Sequence, residues 1–72
     1  TPLLYSCSSE NEKMVSFLIE NGADLNKGNK YGNTPLMMAC IRRNAKILEI
    51  LIGKGANVNK ENKHGNTPLS FA

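Results

Sequence analysis

The chain has 72 residues, 40% of them hydrophobic, with nine basic and six acidic side chains and a net charge of +3. That is enough for one small domain with a marginal core, and no apolar run approaches a membrane span or the apolar stretch of a signal peptide. The lysines are spread along the chain, mostly in the segments between predicted helices, which describes a solvated surface and not a nucleic-acid patch.

The chain opens on Thr1-Pro2-Leu3, and the same tripeptide returns at Thr34 and Thr67, a period of 33 residues. A fixed period of this size is the mark of a solenoid built from stacked supersecondary units. Each tripeptide reads as a helix start. Proline keeps the preceding threonine extended, as an N-cap residue should be, and its missing N–H costs nothing at the first helical position. The units are expected at 1–33 and 34–66, with 67–72 beginning a third. Because the sequence starts without Met and stops soon after Thr67-Pro68, it is expected to be a fragment of a longer array.

In the first unit, Pro2 to about Ser9 is predicted as a short helix with Leu3, Ser6 and Cys7 on its inner face. Glu10-Asn11 makes a turn. A second helix, Glu12 to Asn21, carries Met14, Val15, Phe17, Leu18 and Ile19, a wide stripe predicted to pack on its partner and on both neighbours. Gly22 is the expected left-handed residue after it. Residues 23–33 form a loop of hairpin character, with turn chemistry at Lys30-Tyr31-Gly32.

The second unit repeats these steps. Leu36, Ala39 and Cys40 face inward, Asn44 sits in the turn, and Ile47, Leu48, Ile50, Leu51 and Ile52 lie on the second helix. Gly55 stands where Gly22 does. Sixteen of the 33 aligned pairs are identical. Helices this short are marginal alone in water, so they persist by stacking. Cys7 and Cys40 hold equivalent places on stacked helices. Those lie about 8–10 Å apart, whereas a disulfide needs Cα atoms within about 7 Å. Two reduced core thiols are expected, and with them an intracellular, cytoplasmic location.

No catalytic constellation emerges. His64 and Asp24 lie in loops of different units, and no serine is tied to them. The cysteines lack metal-ligand spacing. Gly53-Lys54-Gly55 ends a helix where a phosphate loop would begin one, and Lys54 there suits the helix dipole. No enzyme activity, cofactor or metal is therefore expected within these residues.

Thr34-Pro35-Leu36-Met37-Met38-Ala39-Cys40, an apolar helix, Gly55-Ala56-Asn57-Val58-Asn59 and then Gly65-Asn66-Thr67-Pro68-Leu69 resemble the ankyrin repeat over essentially the whole chain. There are departures. Leu4, Met37 and Ser70 stand where the family often has His. Glu10-Asn11 and Arg43-Asn44 replace the usual Gly-His between helices, and Asn29 and Asn62 replace an Asp. A residue with a Cβ in the left-handed position costs about 1 kcal/mol; a one-residue shift that puts Asn11 and Asn44 there is the expected relief.

The resemblance implies an all-α ankyrin-repeat solenoid of helix-turn-helix units joined by hairpin loops, and a non-enzymatic module that binds a partner protein on its concave face. Carried over by position, the contact residues are Lys30, Tyr31 and Asn33 in the first hairpin and Lys63, His64 and Asn66 in the second. On the inner helices they are Ser8 and Ser9, then Ile41 and Arg42, with Tyr5, Met38 and Phe71 at the edge. Tyr31 either anchors a partner or covers the neighbouring hairpin. The stretch Leu18 to Asn26 is also similar to ankyrin segments modified by an asparaginyl hydroxylase, with Asn26, and less well Asn59, as acceptor; the alternative is that both side chains hydrogen-bond the loop backbone. Two other roles fit the same resemblance. One is the targeting arm of an enzyme, such as a kinase or ubiquitin-ligase subunit, whose catalytic domain lies elsewhere. The other is a structural spacer.

Overall fold

Thr34 is extended, with φ −90° and ψ 168°, and its Oγ1 accepts the Met37 N–H at 3.4 Å. Thr1 caps in the same way, accepting from Leu4 N–H at 3.2 Å. From these caps run α1 (Pro2–Ser8) and α3 (Pro35–Arg42), each with its proline in the first turn. They alternate with α2 (Glu12–Glu20) and α4 (Ala45–Gly53). The structure, a computed structural model, describes residues 1–71, and among these there are four α-helices, one 3-10 turn and no strand. Ala72, the last residue of the expected third unit, lies outside them.

The 3-10 turn covers Pro68–Phe71, where Thr67-Pro68 predicts the start of an α-helix. Its closing bond is Ser70 N–H to the Thr67 carbonyl at 2.9 Å. This tighter i to i+3 bond stands where α1 and α3 open with an i to i+4 bond, Tyr5 N–H to the Thr1 carbonyl and Met38 N–H to the Thr34 carbonyl.

The helices form two layers. α1 packs on α2 and on α3, α3 packs on α4 and on the 3-10 turn, and α2 meets α4. The shared core is Leu3, Cys7, Val15, Leu36, Ala39, Ile47, Leu51 and Ala56. The inner faces of α1 and α3 are buried as their spacing predicts, and Leu4 and Met37, at the position after Thr-Pro-Leu, are buried with them. The stripe on α2 is narrower than expected. Val15 is fully buried and Leu18 and Ile19 half-buried, but Met14 is 42% and Phe17 60% exposed. An apolar residue on a helix of nine does not ensure a neighbour on its side.

All four helices end in the same way. Glu10, Gly22, Arg43 and Gly55 have φ between 55° and 93°. Each N–H donates three residues back, and the next residue's N–H donates five back, as in Asn11 to Ser6 at 2.9 Å and Asn44 to Ala39 at 3.1 Å. This is the Schellman pattern. The expected one-residue shift does not occur: Glu10 and Arg43 take the left-handed position. Asn11 and Asn44 are used as N-caps of α2 and α4, where Oδ1 accepts from Met14 N–H at 3.1 Å and Ile47 N–H at 3.0 Å. A cap needs extended backbone, and both have it. Asparagine cannot also be left-handed there.

Candidate functional site

The hairpin loops are built on one asparagine each. Asn29 Oδ1 accepts the N–H groups of Tyr31 (2.9 Å) and Asn33 (3.1 Å), while its own carbonyl accepts Gly32 N–H at 2.9 Å. Asn62 repeats this with His64 (2.8 Å), Asn66 (3.0 Å) and Gly65 (3.0 Å). Gly32 sits at φ 80°, the left-handed third residue of a three-residue hairpin turn. A Cβ there would also come within 3.1 Å of Asn62 Cα and Lys63 N, so the second hairpin packs directly on the first.

Two bonds lock the loops together. Lys63 N–H donates to the Tyr31 carbonyl at 3.0 Å, and Asn62 Nδ2 donates to Asn33 Oδ1 at 2.8 Å. Lys30, Tyr31, Lys63 and His64 therefore stand side by side and exposed. Lys30 Nζ lies 5.2 Å from the centre of the Tyr31 ring, within the range of a cation–π contact. Asn33 and Asn66 are half-buried. Asn33 spends its carbonyl oxygen on Asn62, so it is more frame than contact surface.

The first hairpin runs directly into the N-terminus of α3 and the second into the 3-10 turn, and the other candidates lie further along these elements and on α1. Tyr5 is 75% exposed midway along α1; Met38, its counterpart on α3, and Phe71 are half-buried. Ile41, 44% exposed, and Arg42 close α3, about 10 Å from its start at about 1.5 Å per residue. Arg42 Nη2 donates to Ser8 Oγ at 3.4 Å, tying the ends of α3 and α1 together. The candidates thus make a strip from hairpin tips to helix ends.

Further polar links between the helix pairs were legible in the 33-residue period, since each joins residues one period apart within a few positions. Asn44 Nδ2 donates to Glu10 Oε1 at 3.3 Å, and Lys60 Nζ donates to the Asn26 carbonyl at 2.7 Å. Asn26 Oδ1 accepts the Asn57 N–H at 2.7 Å, and Asn26 N–H donates to Asp24 Oδ1. Asn59 is exposed, and its N–H donates to Asn57 Oδ1 at 2.9 Å. Phe17, which the sequence puts in the packed stripe of α2, instead lines a shallow groove between α2 and α4 with Glu12, Lys13, Glu20, Lys46 and Ile50.

Among the described residues no cluster of His, Cys, Asp and Glu is placed to hold a metal ion, and no helix is long and apolar enough to cross a membrane. Cys7 and Cys40 are both unpaired and buried. Burial pushes the Cys7 thiol up to about 11 and raises that of Cys40 as well. Neither is a poised nucleophile, since the thiolate is the reactive form.

Among curated proteins none matches this chain. The model of the family described as ankyrin repeats (3 copies) matches residues 1–62. With the paired helices and the linked hairpins, this match shows that the chain belongs to the ankyrin repeat family, whose repeats are in general protein–protein interaction modules.

Proposed function

We propose that this chain is a non-catalytic binding module that grips a partner protein with its hairpin tips and the concave face formed by the inner helices α1 and α3. The contact residues are Lys30, Tyr31, Lys63 and His64 at the tips and Ile41 and Arg42 on α3, with Asn33 and Asn66 bracing the loops behind them. The observation that carries the reading is Tyr31. It is 51% exposed at the tip of a turn that is closed by Asn29 and by backbone bonds and owes none of them to the ring. Tyrosine and arginine are frequent anchors at protein interfaces. The units of the module are 1–33, 34–66 and the start of a third at 67–72. An intracellular setting fits the two buried, unpaired cysteines.

The test is affinity capture with mass spectrometry, run beside a variant carrying Lys30→Ala, Tyr31→Ala, Ile41→Ala and Arg42→Ala whose circular dichroism matches the parent. A partner lost only from the variant supports the reading. A partner retained by it moves the binding site to α2 and α4, and no partner at all favours a spacer.

A further inference from the structure

The charge of the chain is not evenly shared between its two faces. α2, α4 and the cap residue Lys54 carry three acids and three bases, so they are neutral. The whole net charge of +3 rests on the loops 23–33 and 56–66, on α3 and on the turns after α1 and α3; α1 itself has no charged side chain. Two of the three acids on this side are held in local bonds: Glu10 by Asn44, and Asp24 by the N–H of Asn26. The tips 29–33 and 62–66 contain no acid, and each carries an exposed lysine.

We infer that the occupant of this strip is an extended acidic segment of a partner protein that also carries an aromatic or aliphatic side chain. This rests on the binding face proposed above and adds the chemistry of what it binds. Lys30 and Lys63 sit on consecutive hairpins, joined through Lys63 N–H and the Tyr31 carbonyl. Units stacked on helices are about 10 Å apart, and a segment in the extended polyproline II conformation advances about 3.1 Å per residue with three residues per turn, so that residues three apart share a face. Acids three residues apart therefore meet successive lysines. Tyr31, within cation–π range of Lys30, and Ile41 offer apolar surface to the residues between them. A nucleic acid fits less well, because Ile41 has no use against a phosphate chain and the cations are few.

The test is selection from a random-peptide display library on the immobilised chain, followed by affinity measurement of the winning peptide. The expected winners hold Asp or Glu at a spacing of three, together with Phe, Tyr, Leu or Ile. Charge reversal by K30E and K63E is expected to weaken the winner by at least about tenfold, and added salt to weaken it in the same direction. K13E with K46E, on α2 and α4, is expected to change it by less than about twofold. All four lysines are exposed, and circular dichroism verifies the fold of each variant. Neutral or basic winners that are lost with Tyr31→Ala and Ile41→Ala overturn the acidic assignment and leave the binding face standing. Winners indifferent to every one of these variants overturn both, as does a failure to enrich any peptide. A labelled oligothymidylate that binds more tightly than the winner overturns the inference in favour of nucleic acid.

Discussion

Glu10 and Arg43 hold φ near 55–60°, a region that costs a residue with a Cβ about 1 kcal/mol. Replacing either by glycine is expected to raise stability by up to about 1 kcal/mol in a urea titration; a loss would mean that their side chains matter more than their strain. The converse holds at Gly55. With φ 93°, Gly55→Val is expected to cost about 1–3 kcal/mol, whereas Lys54→Val, at φ −96°, costs much less. Nothing lies within 4 Å of a Cβ at Gly55, so the difference isolates backbone conformation from crowding. Cys7 supplies a pH signature. Its thiol ionises near 9.0 when unperturbed and near 11 in the fold, so above pH 9 the unfolded state loses its proton first. The contribution is complete below pH 9 and falls by about 2 kcal/mol as the pH rises to 11. The difference between parent and Cys7→Ala stability curves over that range measures it, and parallel curves would contradict it.

At the scale of elements, capping and turn chemistry were the most legible features. Thr-Pro at 1–2 and 34–35 started helices where the local rules put them, and Gly22 and Gly55 ended them. What was hidden were competing uses of one residue. Asn11 and Asn44 are chemically suited both to a left-handed turn and to a cap, and only the backbone geometry decides for the cap. Likewise the apolar pattern of α2 did not distinguish Val15, which is buried in the shared core, from Phe17, which lines the outer groove. The binding strip was legible as a set of positions. Its division into exposed contacts and bracing asparagines was not, because that depends on bonds between hairpins. Asn62 tests this division. Asn62→Ala removes the acceptor of two N–H groups and the donor to Asn33, and is expected to cost about 2 kcal/mol in a denaturant titration. Asn62→Asp keeps the acceptor and is expected to cost less; equal losses would show that the bond to Asn33 dominates.

Over the whole molecule, the period links covered and uncovered surfaces. Leu36 is 2% exposed between the helix pairs, while Leu69, one period on, is 80% exposed. Val15 is fully buried and its counterpart Leu48 half-buried; Ile52 is 53% exposed where Ile19 is half-buried. Leu36, Cys40, Leu48, Ile52, Val58 and Leu69 border one open apolar groove. With so much apolar surface left in water, these 72 residues are expected to unfold cooperatively below about 50 °C. A melt well above that range would mean that the open faces cost less than their area suggests. The same architecture separates a neutral outer layer, α2 and α4, from a strip along the hairpins, α3 and the uncharged α1 whose net charge is basic, and the account assigns binding to the strip. The most direct measurement is a titration of isotope-labelled chain with its captured partner, followed by backbone amide resonances. The account predicts shifts at Tyr31, Ile41, Arg42, Lys63 and His64, with Phe17 and Lys46 unmoved. Shifts confined to α2 and α4 would contradict it.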